Sequence, residues 1–253
     1  MNLIIEVLQN TIQIALLVLV PWIMLISVMK KTKSKNQKRI LVIAFLLYVG
    51  ISIVTKNILP TIITFIYLSV IYKSNKHEKE KYYLRPLKSK KYKLSILKST
   101  YTITVANERI KVISMSLVFK ILVTAFALWF MVFLNAYGIE ASEQEITKEF
   151  LTSSTLKAIY LGILIVITGP ILEEFIFRHV MYRVFKKSIG KYVSAIVTSI
   201  LFTVLHYNIA GVPVFFSMGL FNCFLYEKYG FRAAVINHVI FNSITLLWLI
   251  LIQ

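Results

Sequence analysis

The sequence predicts an all-α fold, a polytopic membrane helix bundle of about eight transmembrane helices, and three observations predict it. Of the 253 residues 58% are hydrophobic and 16% charged, and the mean hydropathy is +0.74, outside the range of a soluble globular domain. Uncharged apolar runs of membrane-spanning length recur along the chain. Positive charge gathers in short segments between those runs, as it does in the cytoplasmic loops of membrane proteins.

Taken in order, the first run is Leu8 to Met29. Met1 to Asn10 has no positive charge and carries Glu6, and no small-x-small cleavage site follows the apolar core. A retained anchor fits better than a signal peptide. Ile40 to Thr55 and Asn57 to Tyr72 are separated by Lys56, and Asn57 and Pro60 mark a tight turn between two spans. Ile121 to Ile139 follows, and then Ala158 to Leu172, which continues through two glutamates to Val184. Tyr192 to Tyr226 is a 35-residue stretch without charge, long enough for two spans. Gly211 and Pro213 supply a turn inside it, which splits it at about 191–207 and 212–227. Ala233 to Gln253 is the last run. The chain divides into N-terminal membrane helices with basic loops, residues 1–111, and a second unit, residues 112–253.

Charge placement orients these spans. Segment 30–39 holds six basic residues and no acid, and segment 73–111 twelve basic residues and three acids, whereas 138–150 holds four glutamates and one lysine. Lys186, Lys187 and Lys191 mark another inner turn, and Lys228 with Arg232 a fourth. Inner and outer turns alternate consistently if both termini lie outside. The net charge of +18 is therefore mostly topology, with a second role in holding anionic lipid at the basic cytoplasmic loops, and nucleic acid is not a partner. Residues 73–111 form the one sizeable stretch outside the spans. Tyr82, Tyr83, Leu84, Leu94, Ile96 and Leu97 interleave there with lysines, a pattern suited to the membrane surface. A single cysteine, Cys223, excludes an internal disulfide.

Ionisable groups inside membrane helices are costly and mark functional sites by default. All 11 acids are Glu and none is Asp. Nine of them fall at termini, loops or helix ends, which leaves Glu173 and Glu174 within an apolar run. Glu174 and Arg178 are i and i+4, able to pair in a way that makes burial of both tolerable. Glu173 is rotated by about 100° from Glu174 and has no such partner on its own helix. His206 lies on the next run, and His238 with Asn242, again i and i+4, on the last. Lys120 can snorkel its amine to the headgroups. Glu227 and Lys228 are read as solvated at a helix end, and His179 as packing or interfacial.

Depth tests whether these groups can meet. Glu173 lies 13 residues from Lys186, or roughly 20 Å along a helix. His206 lies 15 residues from Lys191 and Asn242 lies 10 from Arg232, or roughly 22 and 15 Å. His238 comes out shallower, about 9 Å from Arg232, a loose fit to the common layer.

A carboxylate, two imidazoles and an amide at compatible depth suit the hydrolysis of a peptide bond. Glu173 in an apolar cavity would activate water as general base, with His206 positioning the same water. His238 and Asn242 would donate hydrogen bonds to a developing oxyanion. Other intramembrane protease designs fail on inventory: without Asp there is no aspartyl dyad, His-Glu-x-x-His is absent, and Gly50-Ile51-Ser52 lacks the second glycine of a serine elbow. Glu173, His206 and His238 also have the ligand types of an open catalytic zinc site, so a metal-dependent route stands beside a metal-free one.

Glu173-Glu174-Phe175-Ile176-Phe177-Arg178 resembles the Glu-Glu-x-x-x-Arg motif of the CPBP intramembrane proteases, the family of type II CAAX prenyl endopeptidases and of bacteriocin-processing and self-immunity proteins. Phe202-Thr203-Val204-Leu205-His206 is similar to its second motif, Phe-x-x-x-His, and His238-Val239-Ile240-Phe241-Asn242 to its third, His-x-x-x-Asn. The three occur in order within about residues 155–252, the motif-bearing part of the second unit. The resemblance implies Glu173 as catalytic base, His206 as its partner on the water, His238 and Asn242 as the oxyanion site, and Glu174 with Arg178 as supports that orient the first helix. It implies a CAAX-type endopeptidase, a class named as metalloproteases but open to a metal-free glutamate mechanism. The Lys- and Ile-rich, Asp-free composition suggests an AT-rich bacterial genome and a multi-pass protein of the plasma membrane, where a peptide or membrane-protein substrate fits better than a prenylated one. The competing reading is a non-catalytic immunity protein that binds a bacteriocin and keeps the polar cluster as scaffold. A proton-relaying transporter is a third, without the paired broken helices or inverted repeat that would support it.

Overall fold

The computed structural model describes residues 11–12, 14–28, 35–55, 58–73, 83–96, 99–105, 107–139 and 145–252. The anchor reading of Met1 to Asn10, the turn at Lys56 and Asn57, and Tyr82 and Leu97 of the basic segment lie outside these residues. Nine helices occur among them. Helix α1 is a π-helical turn, Ala15–Leu19, running into Val20–Val28; α2 is Lys35–Val54 and α3 Ile58–Tyr72. After the basic segment come α4, Asn107–Ala136, and the short α5, Glu145–Leu151. Helix α6 spans Thr155–Ile189, α7 Lys191–Val204, α8 Val212–Tyr229 and α9 Phe231–Leu251.

Each of the eight apolar segments read from the sequence falls on a helix, but among the described residues only α4, α6 and α9 are by themselves long and apolar enough to cross a membrane. A count of eight spans therefore rests on shorter helices such as α1, α3 and α7. Helix α4 shows what its surroundings must be: Leu122 and Trp129 are 64% and 60% exposed. An apolar exterior of that kind suits lipid and is unfavourable in water.

The all-α expectation needs one correction. Within the basic segment, β1 (Lys90–Ile96) and β2 (Ser99–Val105) pair antiparallel. Their register sets Tyr92 against Ile103 and Leu94 against Tyr101, and Lys91 against Thr104 and Lys93 against Thr102. The sequence there alternates with a period of two, the signature of a half-buried strand. That alternation was absorbed into a reading of aromatic residues among lysines.

Boundaries moved where local chemistry outweighed hydropathy. Helix α4 begins at Asn107, fourteen residues before the apolar run that signalled it, with Glu108 in its first turn, where an acid complements the helix dipole. Pro60 sits inside the first turn of α3, the position where its missing N–H costs nothing. Pro213 likewise opens α8.

Of the two charged groups expected at the end of α8 in water, Glu227 is engaged. Lys186 Nζ meets both carboxylate oxygens of Glu227 at 2.7 Å and the Tyr83 hydroxyl at 3.1 Å. Arg85 pairs with Glu108 at 2.9 Å and donates to the Lys228 carbonyl, while the Phe231 N–H donates to the Tyr83 carbonyl. Residues 83–88 thus strap one set of ends of α4, α6, α8 and α9 together, with Tyr83 stacked on Tyr226 and Leu84 buried. Lys120 does not simply snorkel: its amine donates to Thr245 Oγ1 at 2.6 Å and stands 3.7 Å over the Phe241 ring.

The core gathers around the middle of α6. Leu172, Phe175, Ile176, Phe177 and Phe202 are buried together with Tyr67, Met218, Tyr226 and Ala234. Helix α7 packs along α8, and α8 along α9. The first of these contacts is close enough that a Cβ on Gly219 would lie 2.6 Å from Ser199 Cβ and 2.9 Å from its Cα. Overpacking of this kind costs about 1–3 kcal/mol. Gly219→Ala is accordingly expected to lower thermal stability in detergent by that amount. An unchanged melting curve would show that the two helices can move apart freely.

Candidate functional site

Helix α6 is not a uniform helix. Alpha-helical Thr155–Ile163 gives way to a π-helical turn at Leu164–Thr168, returns to α-helix at Gly169–Glu174, and becomes π-helical again at Phe175–Tyr182. The two glutamates close the short α-helical piece between the wide turns. Such turns are uncommon and tend to sit at functional sites. The first has an identifiable partner set. Gly169 N–H reaches back to the Leu164 carbonyl, and Pro170 has no N–H to offer Ile165. The freed Ile165 carbonyl accepts the Asn242 side-chain amide at 2.8 Å, and the Thr168 carbonyl accepts the Thr61 hydroxyl at 3.3 Å. In an apolar medium an unmet carbonyl is expensive. Asn242 and Thr61 let the wide turn persist.

The second glutamate is the more deeply held. Glu174 and Arg178 have side-chain exposures of 0% and 1%, and Arg178 Nε stands 3.2 Å from Glu174 Oε2. The i, i+4 pair read from the sequence is present. Its alignment falls short of a hydrogen bond and leaves the guanidinium nitrogens without acceptors, but the guanidinium lies 4.6 Å from the Phe202 ring centre, a favourable cation–π placement. Glu174 Oε1 accepts from Asn222 Nδ2 at 2.7 Å and from His238 Nδ1 at 2.8 Å, and Asn237 Nδ2 donates to Asn222 Oδ1 at 2.7 Å. One carboxylate therefore ties α6 to α8 and α9.

Glu173 faces the other way and is partly open, with side-chain exposure of 23%. Its Oε2 lies 3.8 Å from His206 Nε2 and 3.7 Å from His238 Nε2. Both contacts are too long for hydrogen bonds. The opposite ring nitrogens are committed. His206 Nδ1 lies 2.7 Å from the Phe202 carbonyl, which can only accept, so Nδ1 carries hydrogen. His238 Nδ1 faces the ion-paired Glu174 carboxylate, which assigns hydrogen there as well. In their neutral forms both imidazoles turn a bare Nε2 toward Glu173.

His206 departs from the expected element. Helix α7 ends at Val204, and His206 occupies the turn beyond it, before Tyr207 in the left-handed region at φ 45°. Its side chain covers the Phe202 carbonyl, one of those left open at a helix end, and its ring stacks on Phe215 with centroids 4.1 Å apart. His238 is better placed than the depth estimate allowed. The wide turns of Phe175–Tyr182 advance less per residue than α-helix, so the glutamates lie nearer to Lys186 along the helix than a uniform rise implies.

The structure therefore brings Glu173, His206 and His238 to one point and joins Glu174, Arg178 and His238 behind it. Asn242 reaches the adjoining wide turn and spends one amide hydrogen on Ile165. Asn222 and Asn237 were missed by sequence reasoning, although two amides in apolar helices are the intramembrane polar signal already applied to the histidines. His179 is fully buried and shares a hydrogen bond of 3.2 Å with the Tyr226 hydroxyl.

Residues 155–244 match the family model described as Rce1-like, type II CAAX prenyl endopeptidase. No curated protein and no solved structure matches the chain. The matched segment carries all three motifs, and the family it resembles is described as one of CAAX prenyl endopeptidases. Together with the apolar helices it makes this a membrane protein. Among the described residues no group of three or more His, Cys, Asp and Glu is gathered so as to hold a metal ion.

Arg178→Met leaves Glu174 buried with its charge uncompensated on its own helix, and breaking such a pair costs about 3–5 kcal/mol. Glu174→Gln with Arg178→Met removes both charges and keeps an acceptor for Asn222, so much of that loss should return in the double variant. Thermal unfolding of the two singles and the double closes the cycle; additive losses would show that the two groups are not coupled.

Proposed function

We propose that the chain is a glutamate-dependent intramembrane endopeptidase of CAAX type. The observation that carries the reading is the convergence of Glu173 Oε2 with His206 Nε2 and His238 Nε2, each imidazole anchored through its other nitrogen. A water held at that point can donate one hydrogen to His206 Nε2 and lose the other to Glu173. The resulting hydroxide attacks the carbonyl carbon of the scissile peptide bond. Collapse of the tetrahedral intermediate breaks the C–N bond, and Glu173 returns its proton to the leaving amine. His238 in its protonated form, together with the remaining amide hydrogen of Asn242, stabilises the oxyanion. Glu174, Arg178, Asn222 and Asn237 act through His238 and α6, holding the groups that react. The substrate on this reading is a peptide or membrane protein that reaches the site from the membrane, and the plasma membrane is its location.

Two experiments test it. Glu173→Gln keeps the shape and removes the base, so cleavage of a fluorogenic peptide by protein in vesicles should fall about 10²–10⁴-fold at matched expression. Full cleavage by that variant sinks the proposal and leaves a binding role. Incubation with a chelator separates the routes: unchanged turnover supports water activation by Glu173 alone, and loss restored by zinc assigns the step to a metal.

A further inference from the structure

Away from the glutamates, α3 carries two cavities that meet. One, of about 490 Å³, lies between α3 and the start of α9, with Ile171 and Val235 in its wall. The other, of about 360 Å³, runs along α3 from Ile62 to Lys73. Both fall within the size range of small-molecule sites, about 300–1,000 Å³. They share Phe65, Ser69 and Lys73, which lie at i, i+4 and i+8 along α3 and the turn that ends it, so they run as two apolar branches on either side of that ridge and both reach the cationic residue Lys73 at its end. Arg232 stands at that same end, its guanidinium 5.0 Å from the Tyr72 ring centre. Among the described residues neither Lys73 nor Arg232 has a carboxylate partner.

We propose that this forked groove binds one anionic diacyl phospholipid of the inner leaflet, with its headgroup between Lys73 and Arg232 and one acyl chain in each branch. The dimensions agree. Ile62 to Lys73 spans eleven residues of helix, or roughly 17 Å, close to half of the roughly 30 Å hydrocarbon core. The charges agree as well, since two cations at the inner membrane level attract an anionic headgroup, and a zwitterionic one would set its own cation against them. Two branches with one charged mouth match a two-chain lipid better than a single-chain amphiphile or a free anion. The site is separate from the peptidase centre but backs onto it. Ile171 precedes Glu173 by two residues, and Val235 lies one turn before His238. The lipid supports the helices that carry both.

Native mass spectrometry of the full chain in detergent, with added dioleoylphosphatidylglycerol or dioleoylphosphatidylcholine, tests the site without any activity readout. The anionic lipid should bind more tightly. Lys73→Gln with Arg232→Gln should weaken it roughly thirtyfold, the effect of removing two cations near the headgroup, and leave the zwitterionic lipid unchanged. Ser69→Trp, at an exposed position on the ridge that lines both branches, should weaken both lipids while the cations remain. Equal binding of the two lipids, or wild-type affinity in the charge variant, overturns the proposal. Displacement of the anionic lipid by millimolar inorganic phosphate overturns it in favour of a simple anion site. Should the charge variant fail to fold, Ser69→Trp decides alone: undiminished binding there rejects the groove.

Discussion

The structure depends on keeping one ionised carboxylate, Glu174, in a place where neither water nor lipid can solvate it. Burying an isolated charge is prohibitive, so every group around Glu174 is constrained by it. Arg178 must sit one turn along the same helix, and Asn222 and His238 must come from two other helices within hydrogen-bond reach. Asn237 then holds Asn222. Packing between apolar helices in lipid is weakly directional, because the tails are as apolar as the side chains. A hydrogen-bonded charge supplies the direction that packing lacks, and it fixes the rotation of α6, α8 and α9 together.

Glu173 depends on that arrangement. Once Glu174 turns toward α8 and α9, its neighbour in sequence points about 100° away, into the partly open space bounded by His206 and His238. His238 serves both carboxylates, binding Glu174 through Nδ1 and facing Glu173 through Nε2. The supporting and reacting halves of the site are thus joined through one ring. The wide turns on either side of the dyad adjust its depth, and Pro170, Asn242 and Thr61 account for the backbone groups that the first of them exposes.

Much of this was legible in the chain. The helices were readable because a membrane permits few alternatives to helical hydrogen bonding, so hydropathy alone locates the apolar segments. The Glu174–Arg178 pair was readable because spacing on a single helix is a local property. Asn222 and Asn237 were not, since an amide in an apolar helix shows no partner until its neighbours are placed. The hairpin of β1 and β2 was overlooked because its alternation is short and lysine-rich. The span expected over about 191–207 included His206, whereas the helix ends at Val204 and the His206 side chain takes over a terminal carbonyl, a choice made by geometry rather than by composition.

What the sequence determined by itself was the solvent, the helical class and the identity of the groups that must be compensated: an apolar chain with two adjacent glutamates has to find them partners. Beyond the Arg178 partner of Glu174, which helical spacing already gave, the groups that each glutamate meets were decided only by the tertiary structure. Glu174 found a guanidinium, an amide and an imidazole, while Glu173 was left facing two nitrogens at 3.7 and 3.8 Å. The reason is that hydrogen bonds in a low-dielectric interior reward tenths of an ångström. Distances on that scale between residues 33 to 65 apart in sequence follow from helix rotation and depth, and no local pattern encodes those.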